Sequence, residues 1–320
     1  TIDTSGFIAG SVTVDSSDGD VTLANIDSSG SGGPGNTGGD VAISTAAGNI
    51  TLGTIDASAA AGSGANGGMV TIDTMSGDVT VGTIDTSTAG TGSAGGDVTI
   101  STVAGDLTVG DIDSAASGTG ADGGFVTIDT DDGDITVAAI DARSGTGTTA
   151  NIALTAEDAD NNNMDATGSI TVLAASMLQV NAGGTVTLTA DNAVTLNMTS
   201  MITAAGSGAV TITANADGGE DGGTESIAMG TDTIINAGGG TVALSTVGIG
   251  GGDITLGRLE TTNSSDTAVQ ISSNGNIMGA PGTNVVAPNG RLVADAVTGI
   301  SIRTDVSSLD ASVSGTGDID

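Results

Sequence analysis

Carboxylates are the only chemically able groups that this chain repeats. Asp27, Asp56, Asp85, Asp113 and Asp141 each close an Ile-Asp pair, and Asp20, Asn49, Asp78, Asp106 and Asp134 each follow a glycine. A denser group lies at Asp129, Asp131, Asp132 and Asp134. Aspartates in such numbers support three kinds of chemistry. They ligate calcium, a hard cation that takes carboxylate and carbonyl oxygens. In pairs they hydrolyse glycosidic bonds without help from other residue types. Singly they shape turns by accepting main-chain hydrogen bonds.

Composition removes most other chemistry. The 320 residues include 38 acidic side chains against 4 basic ones, a formal charge of −34, and contain no Cys, His, Trp or Tyr. The basic residues are Arg143, Arg258, Arg291 and Arg303, so Lys is absent too. Thiolate and imidazole nucleophiles, Ser-His-Asp triads, tetrahedral zinc sites and disulfides are therefore excluded. So negative a surface repels phosphate backbones and anionic leaflets, which argues against nucleic acid as a partner. No apolar run is long enough for membrane insertion. A glycosidase would need a sugar-stacking aromatic platform, and only Phe7 and Phe125 are aromatic. A carboxylate-based polysaccharide-cleaving enzyme is thus a minor alternative, and the chain is expected to have no catalytic site.

The elements that must position these aspartates follow from a repeat. First-strand valines at Val12, Val41, Val70, Val98 and Val126 are separated by 29, 29, 28 and 28 residues. Such a period marks a solenoid. Each unit carries three short segments of alternating apolar and polar residues, as in Val70-Thr71-Ile72 and Val79-Thr80-Val81. Alternation over so few residues indicates half-buried strands, with aliphatics inward and Thr outward. Gly-Asp, Gly-Asn and Gly-Gly pairs precede the strands, where turns need them. Beyond Arg143 the spacing loosens, with first strands expected at Ile152, Val186, Val210, Val242, Val269 and Leu292. Second strands are expected at Ile170, Val194, Ile227, Ile254, Ile277 and Ile300. Third segments are expected at Leu178, Ile202, Ile234, Leu259, Val285 and Leu309. The expectation is an all-β parallel β-helix of about 11 coils of about 28 residues. It forms one array over 1–320, with regular coils in 1–141 and less regular ones in 142–320. Eleven coils at about 4.8 Å each make a rod on the order of 50 Å long.

The motif Gly-Asp-(Ile/Val)-Thr-(Leu/Val)-Gly-x-Ile-Asp at 77–85, at 105–113 with Leu107 in its third position, and in part at 252–259, resembles the repeats of filamentous-haemagglutinin-like bacterial exoproteins. The resemblance extends in pattern over nearly the whole chain. It implies a right-handed parallel β-helix, a secreted or cell-surface location, and a role in adhesion or fibre formation.

In such a coil, equivalent residues stack. Asp27, Asp56, Asp85, Asp113 and Asp141 would form one column, with Asp3 beneath. Like charges about 4.8 Å apart repel by roughly 0.9 kcal/mol per pair in bulk water. Calcium would offset this, and the cluster at 129–134 is the best local candidate for it. Two features favour turn chemistry instead. Asn49 interrupts the second column with a neutral residue that keeps an Asx hydrogen bond, and no Gly-Gly-x-Gly-x-Asp nonapeptide recurs. Thr22, Thr51, Thr80, Thr108 and Thr136 would form an outward column of the kind that ice-binding surfaces use, with a paired Thr array mainly at Thr185 to Thr189. Asn49, Asn197 and Asn263 lie in glycan-acceptor triplets. The Gly/Ser/Ala-rich stretches after each third strand read as projecting loops.

Both ends fall inside the repeat, as expected of a segment of a longer protein or of a subunit that stacks end to end. The reading is a structural fibre, stalk or sheath segment, extracellular or on the cell surface. It self-associates end to end or laterally, with cations as bridges. The alternative is an adhesin rod whose binding tip, with a cell-surface or glycan partner, lies outside this chain.

Overall fold

The computed structural model describes residues 1–147, 150–158, 167–181, 183–218, 225–248 and 252–320. Among these residues there is no helix, and the strand pairings are parallel. The expected parallel β-helix is what the chain forms. Two compact units divide it, Thr1–Ala153 with Gln179–Ala182, and Leu154–Leu178 with Gly183–Asp320.

In the first unit every coil repeats three walls. Val12, Val41, Val70, Val98 and Val126 are successive register partners on the first wall. Val21, Ile50, Val79, Leu107 and Ile135 do the same on the second. Ile26, Ile55, Ile84, Ile112 and Ile140 form the third. Val41, Ile43, Ile50, Leu52 and Ile55 are all buried. Each such side chain contributes about 1.5–3 kcal/mol by leaving water. β-Branched side chains suit these positions because their stiff χ1 stacks identically from coil to coil.

The second unit keeps the same plan, with separate second and third strands of 3 or 4 residues over most of its coils. Its first wall runs Val186, Val210, Val242, Val269 and Leu292. Its second wall runs Ile170, Val194, Ile227, Ile254, Ile277 and Ile300.

Two expected third-wall anchors are displaced. Ile235, not Ile234, is the buried partner of Ile202 and Leu259. In the last coil, Thr304 occupies the third-wall position opposite Val285, while Leu309 pairs with Leu292 on the first wall. Ile234 and Ile235 are adjacent and equally apolar, and Thr304–Val313 runs through the corner as one strand with neither Gly nor Pro to mark it.

The Gly/Ser/Ala-rich stretches after the third strands are stacked from coil to coil. Gly30, Ala59, Thr88 and Ala116 form one column of parallel bridges, and Thr37, Asn66, Ala94 and Asp122 another. Each stretch is closed at its base by hydrogen bonds such as Gly68 N–H to Ala57 O (2.7 Å) and Gly96 N–H to Thr86 O (2.9 Å). Glycine is required there for contact, since a Cβ on Gly68 would collide with the Gly39 carbonyl one coil away. Gly77 is required on both counts, since a Cβ there would meet the Gly48 carbonyl and its φ of 128° is one that side-chain-bearing residues rarely adopt.

Candidate functional site

The first aspartate column stands as expected. Asp3, Asp27, Asp56, Asp85, Asp113 and Asp141 are consecutive register partners. Each sits where the third wall ends and the chain bends, and each uses Oδ1 to hold that bend. In Asp56 this oxygen accepts the Ser58 N–H at 3.0 Å and the Ser58 hydroxyl at 2.6 Å. Asp27 and Ser29, and Asp85 and Ser87, repeat the arrangement. At Asp113 only the Ala115 N–H donates, at 3.0 Å, because Ala replaces Ser. At Asp141 the Arg143 guanidinium replaces the hydroxyl, with its terminal nitrogen 2.7 Å from Oδ2.

A shallow groove of about 430 Å³ runs along this column, lined by Asp56, Ser58, Ser87, Asp113, Asp141 and Arg143 among others. The electrostatics of the aspartate column vary along its length, and Asp3 lies outside the groove. Hydrogen bonds from Ser5 hold the Asp3 carboxyl below the usual range. Burial pushes the Asp113 carboxyl up, and the neighbouring Asp85 and Asp141 charges add to the rise. The hydrogen bond to Asp141 raises Arg143.

The second column does something the sequence did not suggest. Asp20 Oδ1 accepts the Asn49 N–H one coil on, at 2.8 Å. Asn49 serves Asp78, Asp78 serves Asp106, and Asp106 serves Asp134, at 2.8, 3.0 and 2.9 Å. These bonds link coils, so the Asx-turn role expected for Asn49 is corrected to that of an inter-coil rung. An amide oxygen performs it as well as a carboxylate.

A third column alternates. Asp15, Ser44, Asp73, Ser101 and Asp129 are register partners on the first wall. Ser44 donates to Asp15 at 3.1 Å and Ser101 to Asp73 at 2.9 Å. Alternation moves the carboxylates to about 9.6 Å apart, beyond the ~8 Å screening length at physiological salt.

Two of the four aspartates at 129–134 belong to columns already described. Asp129 belongs to the alternating column and Asp134 to the rungs. Between them, the Asp131 N–H binds Thr102 O, and Asp132 O accepts the Gly105 N–H. Among the described residues no group of three or more acidic side chains has a geometry that would hold a metal ion.

Hydroxyl groups inside the coil were missed, and they correct the expectation that Thr faces outward. Thr45, Thr74, Thr102 and Thr130 stack in register and are buried. Thr74 donates to Ser76 O at 3.2 Å and to Gly48 O, in the preceding coil, at 3.4 Å. Strand alternation carried the signal, since Thr45 follows Ile43 by two residues and shares its face. The outward column Thr22, Thr51, Thr80, Thr108 and Thr136 is in register as expected.

Stacked parallel coils with aliphatic walls and polar columns at the corners define a parallel β-solenoid. The chain belongs to the family described as Toastrack DUF4097, which matches residues 3–166. No curated protein and no solved structure matches it.

Proposed function

We propose that this chain is a non-catalytic structural segment, a stalk, fibre or sheath element, of a bacterial protein acting outside the cell. The observation that carries the reading is the use made of the carboxylates in the regular coils. In three columns Asp Oδ1 atoms accept bonds that fix a turn, a neighbouring coil or a Ser hydroxyl. Chemistry-bearing side chains are thus spent on stacking. The formal charge of −34 keeps copies apart, and divalent cations bridge them laterally where they are abundant. The absence of Lys suits saline or divalent-rich surroundings.

The motif likeness favours a second reading, in which the coils form the rod of an adhesin. Neighbouring sequence separates the two: a distinct terminal module supports adhesion, and unbroken repeats support a spacer or fibre.

The test is electron microscopy of the native material with and without a calcium chelator. Uniform filaments that survive chelation support a stacked fibre held by the coils themselves. Filaments that separate into single strands support cation bridging. Isolated short particles in both conditions overturn the fibre reading.

A further inference from the structure

We propose that Asn289-Gly290 is the site at which the folded chain modifies itself, by deamidation and isomerisation. The sequence holds three Asn-Gly pairs, at 66, 274 and 289. All three look equally able to react, because glycine offers no side chain to hinder attack by its peptide nitrogen. The fold makes them unequal.

Asn66 is held at both reacting groups. Its Oδ1 accepts the Ala94 N–H at 2.9 Å, and the Gly67 N–H donates to Ala94 O at 2.9 Å. Asn274 is held more firmly. Its Nδ2 donates to Gly248 O, while the Gly275 N–H donates to Gly252 O and to the Ser273 hydroxyl, both at 3.1 Å. Asn289 differs from both. Its side chain is exposed and makes no hydrogen bond among the described residues, whereas Gly290, whose nitrogen attacks, is buried within the strand Val285–Ala296. It also lies in an irregularity, where three residues, 288–290, stand opposite the single Ser307 between the pairs Ala287–Val306 and Arg291–Ser308. Pro288, just before it, has no N–H to give to a strand ladder.

The reaction balances with water as the only co-reactant. The Gly290 peptide nitrogen gives its proton to solvent and bonds to Asn289 Cγ. The Cγ–Nδ2 bond breaks, and ammonia leaves with a proton from water. Water then adds to either carbonyl of the cyclic imide. One opening gives aspartate; the other gives isoaspartate, with the main chain rerouted through Cβ and Cγ. Either product adds a negative charge, and isoaspartate lengthens the main chain by one carbon at a place where register is already irregular.

The experiment incubates the folded protein at mildly alkaline pH and follows each Asn-Gly pair by peptide mass spectrometry. Isoaspartate is quantified in parallel by enzymatic methyl transfer. A second sample is incubated in urea. In the folded sample Asn289 is expected to convert at least about tenfold faster than Asn66 and Asn274, the factor that about 1.4 kcal/mol of barrier supplies. In urea the three are expected to converge. Asn289→Gln, checked for folding by circular dichroism, should remove the fast phase. Equal rates at the three pairs in the folded chain overturn the proposal. So does a folded chain in which Asn289 stays intact while the unfolded chain converts.

Discussion

Asn49 Oδ1 accepts the main-chain N–H of Asp78, one coil further on, at 2.8 Å, just as Asp20 Oδ1 accepts that of Asn49. A neutral amide thus takes its turn in a row of carboxylates. The row exists to satisfy the first N–H of each second strand's approach, and charge is incidental to it.

The first prediction follows directly. Asp78→Asn keeps the rung to Asp106 and should leave stability at neutral pH unchanged or slightly raised. Asp78→Ala removes the acceptor and should cost about 0.5–1 kcal/mol, at the lower part of the hydrogen-bond range because water replaces it at this exposed site. Urea denaturation of the two variants checks this. Equal losses in both would mean that the charge itself matters.

Asp113 carries a pH prediction. Burial and the charges of Asp85 and Asp141 raise its folded-state value above the ordinary 3.8. The folded protein therefore binds this proton more tightly than the unfolded chain does. That contribution is fully present below the ordinary value and is lost as pH rises through the raised one. Asp113→Asn, which keeps the acceptor for the Ala115 N–H, should melt higher than the parent at pH 7. The advantage should shrink as pH falls below the ordinary carboxylate range. Thermal melts across that range read the difference, and an advantage that grows at low pH contradicts the assignment.

The buried hydroxyl column predicts a contrast between two threonines. Thr74→Val removes the hydroxyl donor from Gly48 O, leaves Ser76 O with the Gly48 N–H alone, and should cost about 1–3 kcal/mol. Thr80→Val, in the outward column, should stay within about 0.5 kcal/mol. Chemical denaturation midpoints suffice for the comparison.

Gly68→Ala tests the close approach of the coils. Its Cβ would meet the Gly39 carbonyl, which is main chain and cannot swing aside. A loss of about 1–3 kcal/mol is expected, the range for overpacking a well-filled site. A crystal structure of the variant should show the coils at residues 38–39 and 67–68 pushed apart.

Much of this molecule is legible from residue order alone. Val41, Ile43, Ile50, Leu52 and Ile55 are set by a two-residue alternation inside a 28–29-residue period, and a repeated coil leaves one consistent way to bury them. The aspartate columns follow too, because identical coils place identical residues in register. What each polar atom bonds to could not be read this way. Asp56 Oδ1 turns to the local Ser58, whereas Asp78 Oδ1 reaches along the stack to Asp106, although both are aspartates beside a turn. The choice depends on which main-chain N–H the corner leaves unsatisfied, and that is a property of the bent backbone. The same holds for Ile234 against Ile235 and for Asn289 against Asn66. Periodicity assigns a residue to a wall, but corners change the chain's direction. Only the packed coils decide which side chain points in and which amide is left in water.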